Sequence, residues 1–490
     1  MRILLIQPPF YRFLGYYSRY FPYGLLSLGT FLKKEGHDVL VYDADYNTSP
    51  SDLDISRVFE KYHGYLSSLK NSGAPIWQEV RERVRSFGPD VVGIQVYTDF
   101  CASAFYISEL CKQVDPGIRI IMGGPHLDAR SGEVLGIAPA VDFVVRGEGE
   151  NAVSELIARL GRGETGPQGI AGVFARGSGT KEGRAASVTD LAGIPFPDRQ
   201  LLLNNKNYTS EDMGLLMTTR GCPYRCTFCA TETQRPRYRP VDHVLEEIRQ
   251  TKTEYGTIQF TIKDDTFIVN KDRVVEYCEK LLTGKLRINW ECNGRADLID
   301  EEQLKLMKRA GCNFIKLGIE SGSPKILEKM KKRITIDSCL RAAEILRRVG
   351  IHWSGYFMIG VPGETEADMY ETLSFMRELK PDFAYLGTYQ PYPGTEMFEE
   401  GVKLGLVKPS MSYDEFFEIP PDQYYKSSPV RQVETMSQDR FKSVEKTMMK
   451  AFHRHNKNVF RVLKMARARV RIYTSEPGML IKDFKKYRAY

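Results

Sequence analysis

The chain has 490 residues, 42% of them hydrophobic, a length at which one core stops growing and two or more domains are expected, and a composition that excludes fibrous and wholly disordered classes. No window of about 18 uninterrupted apolar residues occurs, which argues against a spanning helix. The formal net charge of +7 is uneven, since the stretch from about Arg440 onward sets many Lys and Arg against only Glu445, Glu476 and Asp483.

The opening "MRILLIQPPF" is too brief for a signal peptide and is closed by Pro8 and Pro9, so it reads as a strand. Nine cysteines without even spacing do not describe a secreted disulfide scaffold, and a reducing, cytoplasmic setting is expected. The N-terminal third alternates apolar runs with helical patterns, as a doubly wound parallel sheet does. Strands are predicted at "RILLIQ" (2–7), "DVLVYDAD" (38–45), "DVVGIQVY" (90–97), "RIIMGG" (119–124) and "DFVVRGEGE" (142–150), with helices at 24–36 and near 103–114. Ligands of such sheets sit beyond the carboxyl ends of the strands. Residues 162–190, rich in Gly and charge, read as a short hairpin and linker, which divides the chain into an α/β domain over 1–188, a second domain over 189–420 and a C-terminal segment over 421–490.

From Leu215 the alternation restarts, with strands near 215–219, 257–263, 287–293, 313–319, 352–359 and 383–389, each followed by a helical pattern. Six strand-helix units are too few for a closed eight-fold barrel, and an open, partial TIM-type barrel is expected. The last segment reads as basic helix plus tail.

"TTRGCPYRCTFCATE" (218–232) places Cys222, Cys226 and Cys229 in the spacing C-x3-C-x2-C directly after the first barrel strand. Thiolates suit zinc or iron-sulfur clusters, and both normally take four protein ligands. The other six cysteines stand singly in strands and helices, as small core hydrophobes do, and His243 is the one neighbour that could complete a structural zinc site. The other solution is a four-iron cluster held at three corners, with the fourth iron open to a small molecule. The position fits, because barrel active sites form at the carboxyl ends of strands.

With an aromatic, Phe228, before the last cysteine, this triplet resembles the signature of the radical S-adenosylmethionine superfamily. The resemblance implies that the open iron chelates S-adenosylmethionine and that one electron cleaves it to methionine and a 5′-deoxyadenosyl radical, the cofactor carrying the hard chemistry. Later segments match the same pattern. "IKDDTF" (262–267) offers Asp264 or Asp265 to the methionyl amine, with a helix N-cap as the ordinary role. "CNGRAD" (292–297) offers Arg295 to a carboxylate, with a surface ion pair as its rival. "LGIESGS" (317–323) offers Glu320 to the ribose hydroxyls. "YFMIGVPGET" (356–365) resembles the motif beside adenine, where Gly360 and Gly363 let backbone approach, and "YQPYPGTEMF" (389–398), with Gln390, ends the sixth strand similarly.

The N-terminal domain lacks the G-x-G-x-x-G turn after its first strand, which argues against a Rossmann dinucleotide site. The order "FPYGLLSLGTFLKKEGHDVLVYDAD", "GIQVYTD", "IIMGGPH", "VVRGEGE" resembles the cobalamin-binding domain of cobalamin-dependent radical S-adenosylmethionine enzymes. The resemblance spans residues 1 to about 420. Gly123 and Gly124 would make room for the nucleotide tail, Thr98 would be the matching hydroxyl, and His126 follows the glycines. The D-x-H-x-x-G stretch that supplies a lower cobalt ligand in many corrinoid proteins is absent, so base-off cobalamin without an axial His is expected. Tyr11, Tyr16, Tyr17 and Tyr20 could cover a flat ligand or serve as packing.

The activity so implied is radical methylation of an unactivated carbon by way of methylcobalamin, with ring closure or rearrangement without methyl transfer as the alternative. An electron donor such as flavodoxin or ferredoxin and a small-molecule or lipid-like substrate are the expected partners. The tRNA methylthiotransferases share the triplet but need three further cysteine ligands in the N-terminal domain, which Cys101 and Cys111 do not supply. A different class, a zinc-containing basic protein on nucleic acid, would rest on the triplet and the cationic helix. The basic tail is expected to be a solvated helix face, with contact to the inner membrane surface as a second expectation.

Overall fold

The computed structural model describes residues 1–16, 20–46, 61–176, 183–230, 235–427 and 432–457, with 466, 469–475, 478 and 480–481 of the tail. Tyr17, part of the expected hairpin and linker, and most of the basic tail lie outside these residues. The chain forms two compact units: Met1–Tyr208 with Tyr392–Gly394 and Lys408–Tyr425, and Thr209–Pro391 with Thr395–Val407 and Lys426–Tyr490. The divisions expected at 188/189 and 420/421 therefore move. Residues up to 208 stay with the first unit because Leu203 N donates to Val41 O at 2.8 Å and the Tyr208 hydroxyl donates to Asp43. Residues 408–425 join it because Met411 N donates to Glu133 at 3.1 Å and the Tyr413 hydroxyl donates to Glu109.

The first unit runs β1 (Arg2–Gln7), α1 (Tyr23–Lys34), β2 (Asp38–Asp43), α2 (Tyr62–Lys70), α3 (Pro75–Phe87), β3 (Val91–Gln95), α4 (Cys101–Val114), β4 (Arg119–Gly123), α5 (Pro125–Ile137), β5 (Phe143–Val145), α6 (Gly149–Gly161) and β6 (Val173–Ala175). Residues 3–7 of β1 are buried without alternation, as expected of a parallel strand covered on both faces. The sheet order is β2-β1-β3-β4-β5-β6, parallel except for β6, which runs antiparallel to β5. Strand order reverses between β1 and β3, so the crevice of this sheet opens after Gln7 and Gln95.

The second unit runs β7 (Leu215–Leu216), β8 (Thr219–Arg220), β9 (Arg237–Tyr238), α7 (Val241–Tyr255), β10 (Gln259–Ile262), α8 (Lys271–Thr283), β11 (Asn289–Gly294), α9 (Glu301–Arg309), β12 (Cys312–Glu320), α10 (Pro324–Lys329), α11 (Ile336–Val349), β13 (His352–Ile359), α12 (Glu366–Leu379), β14 (Phe383–Thr388), α13 (Glu396–Lys403) and α14 (Gln438–Asn456). Its main sheet has the order β14-β13-β12-β11-β10-β7 and is parallel throughout, the six-stranded open barrel the pattern predicts. The helices bury one side of each strand: Trp353, Phe357 and Ile359 of β13 lie in the core, Tyr356 between them does not.

Helix α14 belongs to this barrel rather than to a separate basic segment. Phe441, Val444, Met448 and Phe452 sit in the same core as Trp290 and Trp353. Asn456 accepts from Ala384 N and donates to Ala384 O, both at 2.9 Å, so it satisfies the free edge of β14, which would otherwise be open to pairing. Among the described residues no helix is long and apolar enough to cross a membrane.

Candidate active site

The cysteine loop is strapped at both ends. At its start, Thr218 N and Thr219 N donate to Asp264 Oδ1 at 2.6 and 3.0 Å, and the Thr218 hydroxyl donates to the other oxygen. Gly221 then turns with φ +88°. At its end, Thr227 N donates to Met330 O at 3.0 Å and accepts, through its carbonyl, from Met397 N at 2.9 Å. Phe228 packs on the cluster of Ile326, Met330, Val361, Tyr389 and Met397, which explains the aromatic in the motif. Cys222 and Cys226 are half-buried and Cys229 exposed, whereas the other six cysteines are buried.

Burial pushes the Cys222 and Cys226 thiols up, as do Asp265 and Cys229 at Cys222, while Lys332 and Arg295 pull Cys226 down. Both thiols stay above their ordinary value, the two cations offsetting part of the rise at Cys226. His243, the alternative zinc ligand, takes a hydrogen bond from Arg239 Nε at 3.2 Å. Among the described residues no three His, Cys, Asp or Glu are gathered to hold one metal ion; a cubane spreads its thiolates over separate irons and does not require that. Three accessible thiols on a fixed loop, with an exposed carboxylate beside them, fit a cluster with an open corner.

The expected partners of S-adenosylmethionine sort into accessible groups and supports. Asp264 is fully buried and its oxygens are spent on Thr218 and Thr219, so the reading of it as an amine acceptor is corrected to a strap. Asp265, by contrast, is exposed beside Cys222. Arg295 is buried too: its fork holds Asp297 at 3.1 and 3.3 Å, Nη2 donates to Lys332 O at 2.6 Å, and its guanidinium lies 3.5 Å over the Tyr224 ring. It supports the cysteine loop rather than presenting an open fork.

Glu320 closes β12 in the left-handed region, φ +64°, where the register with β13 shifts. Strain of that kind persists where surrounding structure over-determines it and collects at functional sites. Its Oε1 accepts from Lys332 Nζ at 2.7 Å, and a side chain at Gly318 would meet that carboxylate at 2.4 Å. Lys332 is buried and 5.8 Å from the Phe228 ring; burial pushes its amine down, but Glu320 more than restores it. Sequence reasoning missed Lys332, because "MKKRIT" holds three adjacent cations and nothing in their spacing marks the middle one.

Gly360 (φ +81°) and Gly363 (φ +79°) form the turn after β13. Glu364 accepts from Gly360 N and from Val361 N, the latter at 3.2 Å, and burial pushes its carboxyl up to about 8. Gln432 Nε2 donates to Gly360 O at 2.8 Å and to Tyr389 O at 3.0 Å, tying the ends of β13 and β14 together. Gln390 follows half-buried. Gln432 lies far from any motif, so it too escaped the sequence.

In the first unit the ends of β3 and β4 are locked by Val96 N on Gly123 O at 2.8 Å. Gly124 has φ +124°, and a Cβ there would strike Val96 O at 2.7 Å; a Cβ on Gly123 would meet nothing closer than 3.9 Å. The pair thus offers one backbone that must be glycine and one open space, a fit for a ligand tail. Thr98 is buried beside them, its Oγ1 3.2 Å from His126 Nδ1. His126 itself is 3% exposed and 6.2 Å from the rings of Phe416 and Tyr425, and burial pushes it down to about 3. It stands as a buried, neutral hydrogen-bond partner of Thr98, in keeping with the expectation of no axial His. Tyr11 and Tyr16 pack within this unit, against Phe10 and Phe100 and under Lys61. Asp99 was not foreseen; burial and Asp422 push its carboxyl up to about 7.

The Radical SAM superfamily pattern matches residues 216–376, and the B12 binding domain pattern matches residues 15–157. The uncharacterized methyltransferase PH0819 of Pyrococcus horikoshii is 31% identical over 432 residues, 86% of this chain and 87% of that protein. The anaerobic magnesium-protoporphyrin IX monomethyl ester cyclase of Rubrivivax gelatinosus is 29% identical over 334 residues, 66% of this chain and 60% of the cyclase. Among solved structures, the radical S-adenosylmethionine methyltransferase TsrM of Kitasatospora setae, with tryptophan and an S-adenosylmethionine analogue bound, shares the fold: TM-score 0.62, 19% identity, 83% of this chain and 77% of that one.

Fold and site together define a radical S-adenosylmethionine enzyme with a corrinoid domain. The chain belongs to the cobalamin-binding branch of that superfamily, and a 4Fe–4S cluster, S-adenosylmethionine and cobalamin are its cofactors.

Proposed function

We propose that this enzyme transfers a methyl group to an unactivated carbon of a small-molecule substrate. The observation that carries the reading is the strapped loop of Cys222, Cys226 and Cys229, three accessible thiols with Asp265 beside them, in a chain that also folds a B12-type domain; the methyltransferase PH0819 adds support. When bound, the cofactors supply a one-electron homolysis that yields a carbon-centred radical, and a methyl group to meet it.

The protein's own part is positional. The three cysteines hold the cluster, Asp265 receives the methionyl ammonium, and Lys332 neutralises negative charge beside Cys226. Glu320 faces the ribose, and the Gly360–Gly363 turn, held by Gln432 and Glu364, takes adenine. Thr98, oriented by His126, and the space at Gly123 receive the nucleotide tail of the corrinoid. Asp264 and Arg295 keep the loop in register. A flavodoxin- or ferredoxin-like protein supplies the electron, and the basic tail draws the chain weakly to anionic headgroups, read by salt-sensitive flotation with anionic vesicles.

The test is anoxic reconstitution with methyl-deuterated S-adenosylmethionine and an extract of the source cells. A product heavier by a deuterated methyl supports transfer. The cyclase relative keeps one second reading, ring closure, which predicts a product that has lost hydrogen and gained no label.

A further inference from the structure

Side chains of a strand alternate between its two faces, so residues opposite the helices line the concave side of the barrel. On β10, β11 and β12 this wall carries Thr261, Glu291 and Lys316. Thr261 and Glu291 are register neighbours; the Thr261 hydroxyl donates to Glu291 Oε1 at 2.9 Å, and Lys316 Nζ lies 2.6 Å from the same oxygen. On β13 and β14 the wall carries Tyr356 and Tyr385, also register neighbours, with rings stacked at 5.0 Å and 23°. Strand side chains stand roughly perpendicular to the sheet, so the two phenols reach inward. Below Tyr356, Ser354 is paired in register with Lys316, and its hydroxyl has no hydrogen-bond partner among the described residues.

Part of this wall keeps contact with solvent although it lies in the middle of a sheet, while Thr261 and Ser354 are buried. Tyr356 keeps 37% exposure between two flanking strands, and the Lys316 and Glu291 side chains keep 16% and 20%. Glu320, whose carboxylate stands over Gly318, lies on the same side of β12. The same face of β12 thus carries both Lys316 and a residue assigned to S-adenosylmethionine. A hydrocarbon lodged there would strip water from an ion pair and two phenols and return no hydrogen bond, a net cost. A molecule with its own donors and acceptors would replace that water bond for bond.

We propose that the barrel lumen of this chain selects a polar, water-soluble substrate, recognised by Lys316 and Glu291 on one wall and by the Tyr356 and Tyr385 hydroxyls on the other. The inference rests on the proposed radical chemistry but not on its outcome, so its test counts 5′-deoxyadenosine, which forms whether or not a methyl is transferred. The reconstituted full-length enzyme is given, separately, the water-soluble and the chloroform-soluble fractions of an extract of its source cells.

Deoxyadenosine formation above the no-extract background is expected with the water-soluble fraction alone. Lys316→Met should cut that stimulation about tenfold, the loss of one hydrogen bond to a charged group, and Lys316→Arg should restore part of it. In parallel, ultrafiltration and mass spectrometry should find a water-soluble metabolite retained by the native enzyme and lost from Lys316→Met. Tyr385→Phe, which removes one hydroxyl and leaves the stack, provides the second variant should Lys316→Met fail to fold. Stimulation by the chloroform fraction, or by neither fraction, overturns the proposal, as does full stimulation in Lys316→Met.

Discussion

Replacing Asp264 tests the strap on the cysteine loop. The carboxylate is fully buried and accepts from two backbone N–H groups and one hydroxyl; burial pushes it above the usual carboxylate range, and those bonds and the Arg273 guanidinium offset part of the rise. Asp264→Ala leaves two buried amides and the Thr218 hydroxyl without their acceptor and removes the countercharge near Arg273. Each orphaned donor costs about 1–3 kcal/mol, and because the bonds share one group the total is about 3–5 kcal/mol. For a unit of this size that lowers the midpoint of thermal unfolding by roughly 10 °C. Asp264→Asn keeps an oxygen for the amides but cannot accept from the Thr218 hydroxyl with its nitrogen, so about half the loss is expected. Asp265→Asn, one residue on and exposed, should leave the midpoint in place. Near-UV circular dichroism on heating, together with iron per chain after anoxic reconstitution, reads both effects. An Asp264→Ala protein with the native midpoint and full iron would refute the strap.

Four further outcomes follow from the geometry. Gln432→Leu removes the two bonds that join the ends of β13 and β14, so affinity for S-adenosylmethionine, measured by equilibrium dialysis, should fall about tenfold at unchanged iron content; unchanged affinity would remove Gln432 from the site. Gly124→Ala, forced onto Val96 O, should destabilise the first unit, whereas Gly123→Ala should fold normally yet retain less cobalamin after gel filtration; normal cobalamin content in Gly123→Ala counts against the cradle. Lys332→Met leaves Glu320 without its partner and should weaken S-adenosylmethionine binding more than the exposed Lys331→Met does, in the same dialysis. Asp43 and Asp99 have carboxyls raised to about 6 and about 7, so the native fold holds their protons more tightly than the unfolded chain. The stability this confers is complete below about pH 4 and is lost as pH rises through 6 and 7. Asp99→Asn should flatten that decline in denaturant titrations between pH 5 and 8, and an unaltered slope would contradict the assignment.

What the sequence reveals and what it hides divide along physical lines. Long apolar runs such as "RILLIQ" and strong 3.6-residue patterns located every barrel strand and most helices, because burial on both faces of a parallel sheet leaves a continuous signature. The cysteine triplet was legible because ligand chemistry fixes its spacing. Asp264 and Asp265 are adjacent and chemically identical, and only the fold turns one inward to bind amides and leaves the other beside Cys222. Arg295 likewise looked open until Asp297, Tyr224 and Lys332 O occupied it. Lys332 and Gln432 reach the site through tertiary contacts that have no local pattern, and His126 could not be seen to be buried until Phe416 and Tyr425, some 290 residues away, closed over it. The domain divisions were misplaced for the same reason: residues 408–425 return to the first unit through side chains, not through sequence proximity.

The central claim is that Cys222, Cys226 and Cys229 hold a cluster whose free corner cleaves S-adenosylmethionine. Its most direct test is the yield of 5′-deoxyadenosine from anoxically reconstituted enzyme given S-adenosylmethionine and a low-potential reductant, beside a Cys226→Ala variant. The account predicts deoxyadenosine and methionine in equal amounts from the native protein and none from the variant. A native protein that forms no deoxyadenosine, or a Cys226→Ala variant that matches it, would contradict the account.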